Sequence, residues 1–198
     1  MQLMNHSRSA LNGLVLAGGK STRMGEDKGI LQWYGKEQRY YVADMLATFC
    51  EEVFISCRSE QTNAIDKNYK VIEDEFEDTG PLGAIVSTLH HVNNCAWLVI
   101  ACDLPLLNEK TIHYLIQNRE ENVIATTFST DDGLPEPLIT IWEPAALPLL
   151  EAALSEGKYS PQKVLMKAKI KIIQAPDPNT LLNVNTPAEK EKVMALLK

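Results

Sequence analysis

The sequence predicts an α/β fold built on a mainly parallel sheet, with an antiparallel portion and helices on both faces. Three observations carry this. Short apolar runs rich in β-formers alternate with segments of helical spacing, which implies crossover connections. Trp97-Leu98-Val99-Ile100-Ala101 is apolar without alternation, as a central strand buried on both faces should be. Two strand-like runs within 122–142 flank Ser129-Thr130-Asp131-Asp132-Gly133, which suggests antiparallel pairing near one end of the sheet.

Taken in order, the first strand is expected at 12–17, where Gly13-Leu14-Val15-Leu16 forms a short buried run. Further strands are expected at 52–57, 69–73, 96–101, 122–128, 138–142, 170–174 and 181–184. Helices are expected at about 38–50, 82–92, 109–119, 144–156, 161–168 and 187–197. The last helix has the clearest start. Thr186 can cap it, Pro187 fits its first turn, and Glu189 completes a capping box. Ser160-Pro161 opens the preceding helix in the same way. Residues 1–10 read as a flexible lead, and 11–198 as one domain.

Composition sets bounds. A chain of 198 residues can bury a self-sufficient core. Its net charge of −7 argues against broad contact with nucleic acid or anionic membranes. Yet the cations are gathered locally: Lys20, Arg23, Lys28, Lys36 and Arg39 supply five of the 19 Lys and Arg. Cys50, Cys57, Cys95 and Cys102 form no C-x-x-C pair and no His-flanked cluster, which disfavours zinc or an iron–sulfur centre. Scattered thiols fit a reducing, cytoplasmic setting. No run reaches the ~18 apolar residues of a membrane span, and the N-terminus does not read as a signal peptide.

The strongest functional signal is Leu16 to Lys28, L-A-G-G-K-S-T-R-M-G-E-D-K, directly after the first strand. Gly18, Gly19 and Gly25 alternate with Lys20, Arg23 and Lys28. Glycines let backbone N–H groups approach a ligand closely, and cations spaced through the loop can reach several oxygens of one polyphosphate. Two better-known phosphate loops are excluded. The P-loop pattern needs a glycine five residues before Gly19, where Leu14 stands. The dinucleotide fingerprint fails because Gly18 and Gly19 are adjacent. The plainer alternative for Lys28 is a solvated loop lysine paired with Glu26 or Asp27.

In open α/β sheets ligands bind beyond the carboxyl ends of the strands. Gly18, Asp74, Asp103, Asn183 and Asn185 all fall at such ends. Asp103 is the expected metal ligand, since magnesium takes one or two protein carboxylates plus phosphate oxygens and water. Otherwise it caps a helix or orders the turn before Pro105, although Asn108 suits the cap better. Read without any family, Asp74 is one more acid in a solvated turn. Asn183 and Asn185, one residue apart on an extended strand, point the same way; they form a joint donor pair or an Asx-type turn. His90, His91 and His113 read as surface or packing residues in helices.

The glycine loop resembles the signature L-A-G-G-x-S-x-R-M-G-x-D-K of nucleotidyltransferases that act on small metabolites. Within these the chain is most similar to the molybdenum cofactor guanylyltransferase family. Matches continue in family order through Val71-Ile72-Glu73-Asp74, Gly80-Pro81-Leu82, Ala101-Cys102-Asp103-Leu104-Pro105, Pro135-Glu136-Pro137-Leu138 and Asn183-Val184-Asn185-Thr186-Pro187, over about residues 12–197. The resemblance implies a single-domain Rossmann-like nucleotidyltransferase fold. It also implies Mg2+-dependent transfer of GMP from GTP to the phosphate of molybdopterin cofactor, with release of pyrophosphate. Leu16, Ala17, Gly18, Gly19, Lys28, Asp74 and Asp103 would hold the nucleotide. Arg23, Gly25, Gly83, Asn183 and Asn185 would face the molybdopterin. Arg23, Lys28 and Asp103 would carry the catalysis, with Asp103 on the metal. Transient contact with cofactor-biosynthesis or acceptor proteins is implied as well.

An attacking phosphate is already ionised at neutral pH, with a second pKa near ~6, so no strong general base is required. Two departures stand out. The family's S-A-N-R has Ser56-Cys57-Arg58 here, so Cys57 replaces an amide and one nucleotide contact is either lost or made by Ser56. The family's G-P-L-A-G becomes Gly80-Pro81-Leu82-Gly83-Ala84, so either Gly83 or Ala84 faces the ligand. The rivals are a sister enzyme using CTP, one acting on a sugar or alcohol phosphate, and a non-catalytic nucleotide-binding module.

Overall fold

The computed structural model describes residues 9–18 and 28–197, apart from the side chains of Lys28 and Pro187. Among these described residues seven strands form one sheet: β1 (Leu11–Leu16), β2 (Val53–Cys57), β3 (Lys70–Glu73), β4 (Ala96–Ala101), β5 (Ala125–Ser129), β6 (Pro135–Trp142) and β7 (Lys171–Ile173). Their order is β3-β2-β1-β4-β6-β5-β7. Six helices accompany them: α1 (Gln38–Leu46), α2 (Gly80–His91), α3 (Glu109–Gln117), α4 (Leu147–Ser155), α5 (Pro161–Leu165) and α6 (Pro187–Leu196).

β1 pairs in parallel with both β2 and β4. The chain therefore builds outward from β1 to β3, returns, and restarts at β4 on the other side. This reversal makes a switch point, and the loops leaving β1 and β4 part there and open a crevice. β4 is the middle strand, and all six of its residues are buried. Its unbroken apolar run thus has its physical reason: helices cover both faces. One core, including Val42, Leu46, Ile55, Leu98, Ile100, Ile112 and Leu115, fills the face beneath α1 and α3. The other, including Leu14, Leu82, Ile85, Leu89, Trp97, Val99 and Trp142, fills the face beneath α2 and α4.

Only β6 runs against the rest. It pairs antiparallel with β4 and β5, while β5 and β7 are parallel. The antiparallel portion lies near one end of the sheet, with β7 adding an edge beyond β5. Helix starts follow their capping chemistry. Asn108 accepts from the Thr111 amide at 3.0 Å. Thr186 accepts from the Glu189 amide at 3.3 Å, and Glu189 accepts back from the Thr186 amide at 2.8 Å.

Two expectations are corrected. No strand forms at 181–184; a 3-10 turn, Pro178–Leu181, leads into an extended segment with no ladder. It is tied to the sheet by a bond from the Val184 amide to Asp103 O at 2.9 Å. The lead read at 1–10 is anchored at its end. Ser9 O accepts from Arg119 Nη1 at 2.8 Å, and Ala10 O accepts from the Ala96 amide at 2.9 Å. Residues 1–8 lie outside the described residues.

Candidate active site

A cleft of about 630 Å³ opens at the switch point. Leu16, Ala17 and Gly18 enter from the end of β1, Ser56 and Arg58 from β2, and Asp74 from β3. Gly80, Pro81 and Ala84 come from the start of α2, and Ala101, Cys102 and Asp103 from β4. Leu138 of β6 closes the far side. The start of α2 has no side-chain cap and faces this cleft, where backbone donors and the dipole favour an anion. The turn into it holds Asp78 at φ 54° and Gly80 at φ 60°, a backbone that glycine adopts without strain.

Asp74 is held in place by two bonds. Its amide donates to Cys57 O at 3.0 Å, and its Oδ1 accepts from the Ser56 hydroxyl at 2.5 Å. Burial pushes its carboxyl above the usual range, while the Ser56 hydroxyl and the Arg58 charge pull the other way. A Cβ on Gly18 would stand 2.9 Å from Asp74 Oδ2. Any larger residue here must displace this carboxylate, under which the strand end passes. Gly18→Ala should fold, because the clash is with the tip of one side chain. It should weaken GTP binding about tenfold by turning Asp74 aside, as loss of a charged hydrogen bond would. Calorimetric titration checks this, and an unchanged affinity would contradict the close approach.

Asp103 sits half-buried at the end of β4. The helix cap that competed for it belongs to Asn108, and Asp103 lines the cleft. Glu136, at the start of β6, lies close enough to Asp103 to feel its charge. Burial pushes the Glu136 carboxyl up, its bond from the Leu138 amide pulls it down, and the charge of Asp103 adds to the rise. No three His, Cys, Asp or Glu side chains gather into a metal cage among the described residues. One strand-end carboxylate with a second acid nearby is instead the hard-oxygen set that suits magnesium already bound to phosphates.

Of the sequence-predicted residues, Leu16, Ala17, Gly18, Asp74 and Asp103 converge on the cleft. The bond from Val184 to Asp103 O brings the Asn183–Asn185 segment beside it. Gly83 does not line the cleft. It is buried where a Cβ would collide with Thr79 Oγ1 at 1.9 Å, and Ala84 takes the cleft-facing position. Gly19, Arg23 and Gly25 lie outside the described residues, as does the Lys28 side chain. The chain just beyond them is tied to the β4 loop, with the Tyr34 hydroxyl donating to Pro105 O at 2.7 Å. Cys57 turns its thiol to Thr62 Oγ1, 3.7 Å away, and Ser56 lines the cleft in its place. Arg58 and Glu136 were missed as site residues, although both stand inside motifs that the sequence displays.

Three comparisons bear on this geometry. The family described as MobA-like NTP transferase domain matches residues 13–171. The molybdenum cofactor biosynthesis bifunctional protein of Synechocystis is 35% identical over 185 residues, 92% of this chain and 53% of that protein. The chain thus spans about half the length of that relative. The molybdenum cofactor guanylyltransferase of Pseudomonas entomophila is 32% identical over 179 residues, 88% of this chain and 93% of that one. The crystal structure of molybdopterin-guanine dinucleotide biosynthesis protein A from Archaeoglobus fulgidus superposes with a TM-score of 0.79. It covers 93% of this chain and 97% of its own at 22% identity, and so speaks to the fold. With a strand-end cleft that assembles the expected acids and a domain match over most of its length, the chain belongs to the MobA-like NTP transferase family.

Proposed function

We propose that the chain transfers GMP from GTP to the phosphate of molybdopterin cofactor, releasing pyrophosphate. The observation that carries this is the convergence of Gly18, Asp74 and Asp103 on one cleft at the switch point. The names of full-length relatives supply the substrates. The purine edge is read by the backbone of Leu16–Gly18 and by Asp74, which accepts from the N1–H and N2–H donors of guanine. Gly19, Lys28 and Arg23 hold phosphate oxygens. Asn183 and Asn185, with Arg23 and Gly25, face the pterin substrate.

The reaction is an in-line displacement. An ionised oxygen of the acceptor phosphate forms a bond to the α-phosphorus, and the bond from that phosphorus to the bridging oxygen of pyrophosphate breaks. Catalysis is largely positioning and charge stabilisation. Mg2+, when held by Asp103, offsets charge on the phosphate oxygens. The test is product analysis after incubating the chain with GTP, Mg2+ and molybdopterin, with CTP in a parallel arm. The guanine dinucleotide and pyrophosphate are expected. A product formed from CTP and not from GTP would overturn the guanine assignment. Failure with both nucleotides would overturn the transfer itself.

A further inference from the structure

We propose that Ser56 is a positioning residue for guanine recognition: its hydroxyl fixes the Asp74 carboxylate as an acceptor aimed into the cleft. The proposal rests on the reading of Asp74 as the acid that receives the base.

Ser56 is fully buried at the end of β2, paired in register with Leu16 of β1 and Ile72 of β3. Its backbone oxygen is engaged by the Ala17 amide at 3.0 Å. Its hydroxyl has one proton to give, and an ionised carboxylate can only accept. The 2.5 Å contact to Asp74 Oδ1 therefore runs from Ser56 to Asp74. With Oδ1 engaged and the Asp74 amide bonded to Cys57 O, the carboxylate is held in one rotation. Its Oδ2 lies over Gly18, on the wall that both residues share.

The surroundings make this hydroxyl matter. Arg58, on the chain beyond β2, favours the ionised form of Asp74. Glu73 and Glu75 flank it in sequence, Glu77 and Asp78 come from the turn before α2, and Asp103 shares the cleft from β4. Cys57 is the remaining titratable neighbour on β2, and the nearby end of β1 supplies none among the described residues. Burial opposes ionisation, so the Ser56 bond is one of two contacts that hold the acceptor form. A protonated Asp74 would present a hydrogen to the N1–H of guanine. The proposal also explains how the chain tolerates Cys57, whose thiol is spent on Thr62.

The test is equilibrium binding of GTP and of ITP, which lacks the 2-amino group, to the full chain with Mg2+ across acid to neutral pH. Ser56→Ala should weaken GTP about tenfold, as expected for a bond to a charged group. It should also narrow the preference for GTP over ITP and move the acid loss of GTP binding to higher pH. Ser56→Thr and Ser56→Val have nearly the same shape but differ in the hydroxyl. Only the threonine should bind as wild type, and this pair decides if the alanine variant folds poorly. Equal binding by the pair, or an unchanged acid limb in Ser56→Ala, would overturn the proposal. Asp74→Asn separates the two levels. If it leaves the GTP–ITP preference intact, the base-binding reading of Asp74 fails. If it abolishes the preference while Ser56→Ala changes nothing, only the role of Ser56 fails.

Discussion

Asp103→Asn is expected to lower GMP transfer at least about 100-fold while leaving GTP bound, because the substitution removes charge and keeps shape. Loss of one preorganised electrostatic partner typically costs about 10²–10³ in rate, and a carboxylate that anchors a divalent ion carries several kcal/mol of charge stabilisation. The fold should survive. The link from Asp103 to the asparagine segment runs through its backbone oxygen, which accepts from Val184, and asparagine keeps that oxygen. The nucleotide contacts proposed for Leu16, Ala17, Gly18 and Asp74 lie on other strands and should remain. The measurements are pyrophosphate release and GTP affinity on the same preparation. Unchanged pyrophosphate release would remove Asp103 from the metal role. Lost GTP binding with an intact melting curve would recast it as a binding residue.

The fold was legible where the physics is local. Alternation or its absence marks strands, and side-chain caps mark helix starts, so β4, α3 and α6 fall close to where the residues put them. The segment around Val184 was misread because extended backbone with one apolar residue resembles a short strand. Only the tertiary bond to Asp103 O shows that it is a strap across a strand end. The cleft was legible for the same reason as the fold: Gly18, Asp74 and Asp103 each follow a strand, and parallel strands gather their ends. What was not legible is which neighbour faces inward. β2 is buried on both faces, so no polar alternation reveals that Ser56 and not Cys57 lines the cleft. In α2 it is Ala84 and not Gly83 that lines the cleft, and nothing in the local sequence marks which of the two turns inward. Glu136 stood in a visible motif, but its relation to Asp103 depends on a strand reversal inside the sheet.

Arg119→Ala should cost about 3–5 kcal/mol of stability, the usual consequence of stripping one partner from a buried ion pair. Arg119 donates through Nε to Glu143 Oε1 at 2.7 Å and through Nη2 to Glu143 Oε2 at 2.9 Å. The two side chains are 2% and 3% exposed, so water cannot replace the lost partner. The same guanidinium holds Ser9, so the variant also releases the strand that leads into β1. For a domain of this size the loss corresponds to a fall in Tm of about 6–20 °C. Replacing both partners by apolar residues, Arg119→Met with Glu143→Leu, should recover much of it, since no charge is then stranded. The pair lies far from the chemistry. β6 runs antiparallel to β4, and Trp142 pairs with Trp97 at the start of β4, so Glu143 sits at the opposite end of the sheet from Asp103. GTP affinity at low temperature should therefore match wild type even as melting drops. A variant that melts within about 2 °C of wild type would show that the pair adds nothing net. A variant that loses GTP binding while still folded would tie the base of the sheet to the cleft.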